Sequence, residues 1–193
     1  MNQTATVTNR LGLVLSGLAL LALLGFAAWL WWPQDSGGRL RMTMPSLALS
    51  DLGERRVDLD HYRGHVLLVN FWASDCPGCI AELPELIRLQ QVYGKEGLQV
   101  VGIGLPSDSV AGERTVAAYY NVPYPLLFDA QGQAARAFGE VNLTPTTFLV
   151  NREGKIVYRQ VGEASFASWE RRIQPLLAAP PPSANRGPAP VLH

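Results

Sequence analysis

Val66-Leu67-Leu68-Val69-Asn70-Phe71-Trp72-Ala73-Ser74-Asp75-Cys76-Pro77-Gly78-Cys79-Ile80-Ala81-Glu82-Leu83-Pro84-Glu85-Leu86-Ile87 is the stretch on which the reading of this chain turns. An apolar run of strand length leads into a Cys-x-x-Cys pair, and a helical pattern follows. These are the only two cysteines in the 193 residues. A strand that ends in such a pair and opens a helix is the layout of a thiol–disulfide redox site. If Cys76 is the N-cap, Pro77 falls at the first helical position, where its missing N–H has no intrahelical partner to lose. The N–H groups of Gly78 and Cys79 then point toward the Cys76 sulfur, and with the helix dipole they favour a thiolate. Cys76 is the expected attacking thiol, and Cys79 the thiol that resolves the mixed disulfide.

Other readings of a Cys-x-x-Cys pair fit less well. A structural zinc site takes four Cys or His ligands, and His61, His65 and His193 do not supply a second pair. Covalent haem attachment requires His after the second cysteine, where this chain has Ile80. A purely structural disulfide stays open, although so small a ring restricts the unfolded chain only modestly. Met42 and Met44 alone are too few thioethers for a metal site.

Outward from this centre, residues 11–32 form an uncharged apolar stretch long enough to cross a bilayer, with Trp29, Trp31 and Trp32 at its far end. A cleaved signal would have a shorter apolar core and small residues at the cleavage site. The bulky end therefore predicts an uncleaved anchor spanning Leu11 to Trp32. Basic residues flank it almost evenly, with Arg10 before and Arg39 and Arg41 after. The N-terminus is assigned to the cytoplasm because the thiol pair then meets disulfide substrates outside it. The expected organisation is a short N-terminus over 1–10, an anchor over 11–32, a linker over 33–42, one folded domain over 43–177 and a disordered Pro/Ala-rich tail over 178–193. Sixteen basic and sixteen acidic residues cancel, and no basic run suggests nucleic acid.

Within the domain, strands and helices alternate. Ser46–Leu49 and Arg56–Leu59 flank Asp51-Leu52-Gly53-Glu54 as a hairpin. Buried strands are expected over 66–71 and 98–103, and shorter ones over 126–128, 146–150 and 156–161. Helices are expected over 80–93, ended by Gly94, and over 109–120, 134–138 and 166–177. The pattern predicts an α/β sandwich around a mixed sheet.

Asn70-Phe71-Trp72-Ala73-Ser74-Asp75-Cys76-Pro77-Gly78-Cys79-Ile80-Ala81-Glu82-Leu83-Pro84, with Thr144-Pro145-Thr146-Thr147-Phe148-Leu149-Val150-Asn151-Arg152-Glu153-Gly154-Lys155, resembles the TlpA/ResA-like membrane-anchored thioredoxins of bacteria. The resemblance covers about residues 43–177. It implies a thioredoxin-like fold facing the periplasm or the outside of the cell and reducing disulfides there. It also implies that Pro145 is a cis-proline beside the cysteine pair, with Thr144 offering its backbone to a substrate strand. Pro84 matches a helix-kinking proline. Glu82 matches an acidic residue that could exchange the resolving thiol's proton; its alternative is an exposed residue complementing the helix N-terminus. The chain departs from the family at Asp75 and Gly78, where Trp and Pro are common. Asp75, Pro77 and Gly78 therefore become redox-tuning candidates: a carboxylate beside Cys76 opposes its thiolate, unless it is a solvated loop residue.

The resulting expectation is a membrane-anchored thiol–disulfide oxidoreductase of the bacterial cytoplasmic membrane with no bound cofactor. Its partners would be disulfide-bearing extracytoplasmic proteins, for example in cytochrome c maturation or metal-centre assembly, and a transmembrane thiol reductant as electron donor. A thiol peroxidase of the peroxiredoxin class and a non-enzymatic module with a permanently oxidised pair are the alternatives.

Overall fold

The computed structural model describes residues 42–180, and the expected segments 1–10 and 11–32, nearly all of the linker and the tail beyond 180 lie outside them. Among the described residues no helix is long and apolar enough to cross a membrane. The strands are β1 (Met42–Thr43), β2 (Ala48–Asp51), β3 (Arg56–Asp58), β4 (Val66–Trp72), β5 (Leu98–Gly104), β6 (Leu126–Phe128), β7 (Thr146–Val150) and β8 (Lys155–Val161). The helices are α1 (Pro77–Tyr93), α2 (Val110–Tyr120), α3 (Gln133–Ala137) and α4 (Phe166–Ala178). All eight strands form one sheet in the order β1-β8-β7-β4-β5-β6-β2-β3. The β4–β5 and β5–β6 pairs are parallel and the others antiparallel, so the sheet is mixed and the fold thioredoxin-like.

β4 lies at the centre because both its faces are apolar. All seven of its residues are buried. Side chains alternate across a strand. Leu67, Val69 and Phe71 therefore enter one core with Phe138, Phe148, Leu49 and Leu59. Val66, Leu68 and Trp72 enter the other, with Leu83, Leu86 and Leu89 of α1 and Trp169 and Ile173 of α4. Burial of each such leucine contributes about 1.5–3 kcal/mol. Those contacts fix α1 against the sheet and set its first turn at the end of β4. Met44, weighed above only as a thioether, is core at 2% exposure.

Several expected boundaries move. The end of α1 does not: the helix stops at Tyr93 with Gly94 as its cap, as expected, and a 3-10 turn carries the chain from Gly94, with φ −57°, to Gly97, where φ is 102°. The hairpin strands pair Ala48 with Asp58 and Ser50 with Arg56, so Asp51 belongs to the strand and not to the loop. Leu59 leaves β3 for a 3-10 turn, Leu59–Tyr62, capped by the Asp58 side chain. The two-residue β1 was not foreseen; it adds to β8 through Met42↔Ile156 and Thr43↔Lys155. The outermost strands are thus two residues long on one side and the charged Arg56-Val57-Asp58 on the other.

Candidate active site

Cys76 caps α1. Its backbone is extended, and its Sγ accepts the Cys79 N–H at 3.2 Å, with Pro77 in the first turn. The sulfur thus satisfies one of the donors that a helix N-terminus leaves without a partner. The two cysteines are joined as a disulfide, with Cα atoms 5.2 Å apart. Cys76 is partly exposed, and Cys79 is buried on the helix side of the sheet. An incoming group therefore meets Cys76 first.

Glu82 stands one turn after Cys79 and is 2% exposed. The exposed alternative for this residue is therefore excluded. Its Oε1 accepts the Ala164 N–H at 3.1 Å and the Trp169 indole N–H at 3.4 Å, and its Oε2 accepts the Asn70 amide at 3.3 Å. Asn70 also donates to Thr147 Oγ1 at 2.8 Å, which fixes the orientation of its amide. Burial pushes the Glu82 carboxyl up to about 7, and the Glu163 carboxylate adds to the rise. The donors from Trp169, Ala164 and Asn70 oppose it without cancelling it. A carboxyl held there can accept or return a proton at neutral pH.

The Thr144–Pro145 bond is cis. β7 starts at the next residue, and Thr146 pairs with Phe71 of β4, which carries Pro145 to the redox end of the sheet. A Cβ placed on Gly78 would lie 3.5 Å from Pro145 Cδ, so the proline packs against the first turn of α1. The backbone N–H and carbonyl of Thr144 have no partner among the described residues, and a guest strand could use them.

The loop before Cys76 is clasped to the turn that leads into α2. Asp108 accepts the Ser74 N–H at 2.5 Å and its hydroxyl at 2.7 Å. Asp75 and Pro77 are exposed, and so are His61 and His65. Among the described residues no group of three or more His, Cys, Asp or Glu is placed to hold a metal ion. The structure thus brings together Cys76, Pro77, Gly78, Cys79, Glu82, Thr144 and Pro145, and leaves Asp75 at the margin.

Sequence reading missed Asn70, Trp169, Ala164 and Glu163. Only Asn70 carried a signal, as the single polar residue in an apolar strand. On the same face, Glu113 of α2 is fully buried, with neither carboxylate oxygen hydrogen-bonded among the described residues. Its carboxyl fills the place a side chain on Gly104 would take. Burial, with the Asp108 carboxylate adding to it, pushes Glu113 up to about 8.

A cystine at an open helix N-terminus, backed by a buried carboxyl and flanked by free backbone at a strand start, is the arrangement of thioredoxin-fold thiol–disulfide oxidoreductases. The Redoxin family matches residues 40–172. Thiol-disulfide oxidoreductase ResA of Geobacillus thermodenitrificans is 31% identical over 72% of this chain and 79% of its own length. Thiol:disulfide interchange protein DsbE of Vibrio cholerae is 33% identical over 69% and 71%. A Chlorobium tepidum structure provisionally described as a thiol:disulfide interchange protein DsbE superimposes with a TM-score of 0.65 at 30% identity, covering 70% of this chain and 95% of that one. The chain belongs to the Redoxin family, among its TlpA/ResA-like thiol–disulfide oxidoreductases, and is an enzyme of that class.

Proposed function

We propose that this enzyme reduces protein disulfides outside the cytoplasm. The observation that carries the reading is the pairing of a partly exposed, helix-capping Cys76 with a buried Glu82 one turn behind Cys79. In the dithiol form, the Cys76 thiolate attacks one sulfur of a substrate disulfide. A Cys76–substrate S–S bond forms, the substrate S–S bond breaks, and the leaving sulfur takes up a proton. Glu82 accepts the Cys79 proton, and the Cys79 thiolate attacks Cys76. The enzyme disulfide forms and the substrate departs with two electrons. The cycle uses the cysteine pair alone as its redox group and no bound cofactor. Thr144 and Pro145 dock the substrate chain, and Pro77, Gly78 and the exposed Asp75 adjust the potential. Asp75 is the weakest of these, because solvent and salt screen its charge.

The remaining parts of the proposal rest on the sequence. Residues 11–32 anchor the enzyme in the bacterial cytoplasmic membrane with the domain outside, and a transmembrane thiol protein returns electrons to it. Clients are proteins awaiting cytochrome c maturation or metal-centre assembly.

The test is trapping. Full-length Cys79→Ser protein expressed in its native membrane should accumulate mixed disulfides through Cys76, released by dithiothreitol. The wild type should reduce insulin or a model mixed disulfide. Hydrogen peroxide consumption without disulfide reduction would overturn the reading in favour of a peroxidase. Absence of both activities and of trapped adducts would favour a binding module.

A further inference from the structure

Glu163 follows Gly162 at the end of β8 and is an exposed residue by area, yet its side chain lies across the redox helix. A Cβ placed on Gly78 would lie 3.2 Å from Glu163 Oε1 and 3.4 Å from its Cγ, with Pro145 Cδ at 3.5 Å. The carboxylate therefore occupies the crease between the first turn of α1 and the cis-proline. Its position is held from behind, because the next residue, Ala164, donates its N–H to Glu82. Gly78 makes this approach possible; a larger residue there would press on Glu163.

Among the described residues that carboxylate has no cation within ion-pair distance. The ion pairs among the described residues are Arg55–Asp51 and Arg63–Asp60, and neither involves Glu163. Exposed Asp75, the residue before Cys76, adds a second carboxylate to this end of the helix. The helix N-terminus favours an anion there. It also has to hold the Cys76 thiolate, which two neighbouring carboxylates oppose. In the free enzyme, among the described residues, only the helix N-terminus and solvent offset this repulsion. A positive charge arriving with the substrate would relieve it on docking, before the thiolate is consumed in the mixed disulfide. The flanks of the crease are apolar: Leu143 is 60% exposed, and Val161, the ladder partner of Thr146, is 47% exposed.

We propose that Glu163 is a specificity-determining residue: it receives a lysine or arginine side chain next to the cysteine under attack, so that the enzyme prefers basic cystine segments with an apolar neighbour. This rests on the reductase reading and adds the chemical class of its substrate.

The experiment uses full-length protein in detergent, with dithiothreitol as the terminal reductant, which re-forms the Cys76–Cys79 dithiol and is itself oxidised to its cyclic disulfide. The substrates are three disulfide-cyclised peptides that differ only in the residue beside each cysteine: Lys, Gln or Glu. The wild type should follow the order Lys, Gln, Glu in kcat/KM. For an exposed ion pair the Lys-to-Gln ratio should be about three- to fivefold at low salt and shrink toward one at high salt. In Glu163→Gln the ratio should collapse, in Glu163→Asp persist, and in Glu163→Lys invert. Because each ratio is taken within one protein, a general loss of folding or a shifted potential does not imitate the result. A ratio unchanged in Glu163→Gln, lost in Asp75→Asn instead, or absent from the wild type would overturn the proposal while leaving the reductase reading intact. Failure of the wild type to reduce any of the three would overturn both.

Discussion

At the scale of single residues, the unusual feature is two buried carboxyl groups on the helix side of the sheet. Glu82 has three donors, and Glu113 has none among the described residues. Burial raises both above the ordinary carboxylate value of 4.5, Glu82 to about 7 and Glu113 to about 8. A raised acid keeps its proton in the folded state after the unfolded chain has lost it. The unfolded state then binds fewer protons, so stability falls as pH rises. For Glu113 that window runs from about 4.5 to about 8, with a slope of up to about 1.4 kcal/mol per pH unit. Glu113→Gln should therefore lose stability less steeply above pH 5, the remaining slope below pH 7 belonging to Glu82. Urea midpoints at pH 5, 7 and 9 measure this; identical slopes in the two proteins would show that Glu113 is already ionised.

At the scale of elements, β5 shows why two residues must be nearly naked. Gly102 and Gly104 face the helices, the first beneath the Trp72 indole and Leu126, the second beneath the Glu113 carboxyl. A methyl group on Gly104 would overlap that carboxyl, which is enclosed and has little room to move. Gly104→Ala should cost about 1–3 kcal/mol, as overpacking does. Combined with Glu113→Ala, which empties the space, the penalty should largely vanish, giving a non-additive cycle in denaturant melts. Additive costs would mean that the clash is relieved elsewhere.

Elements of this kind were legible to different depths. β6 and β7 match the sequence reading residue for residue, because the apolar Leu126–Phe128 and the β-branched and apolar Thr146–Val150 are each bounded by Pro before and by Asp or Asn after. α1 ends at Tyr93 with Gly94 as its cap, as the sequence suggests, although the left-handed residue lies three positions on, at Gly97. The hairpin bounds shifted because Asp51 continues β2 while Asp58 caps a 3-10 turn that takes Leu59 out of β3. The cysteine pair was legible because its chemistry is local. The state of Glu82 was not, since its donors Ala164 and Trp169 lie 82 and 87 residues away in the chain.

At the scale of the whole molecule, the disulfide contributes little to holding the domain together. Cys76 and Cys79 are three apart in sequence, and loop-closure entropy for so short a ring is worth roughly 2 kcal/mol at most. Two cores, one on each face of β4, carry the fold instead. Reduction with dithiothreitol should lower Tm by only a few degrees and leave the near-ultraviolet dichroism native-like, as an enzyme that alternates between dithiol and disulfide forms requires. Loss of the cooperative transition on reduction would assign the bond a structural role. The margins of the sheet bear on a different hazard. A thiol–disulfide oxidoreductase whose client has not finished folding meets free strands seeking a template. On the β3 border the strand is three residues long and presents Arg56 and Asp58, so it is not a long, flat, apolar ribbon on which a client could nucleate a shared aggregate. Along that border a half-folded client therefore finds no ribbon to which its own strands would keep adhering once Cys79 has released it from Cys76.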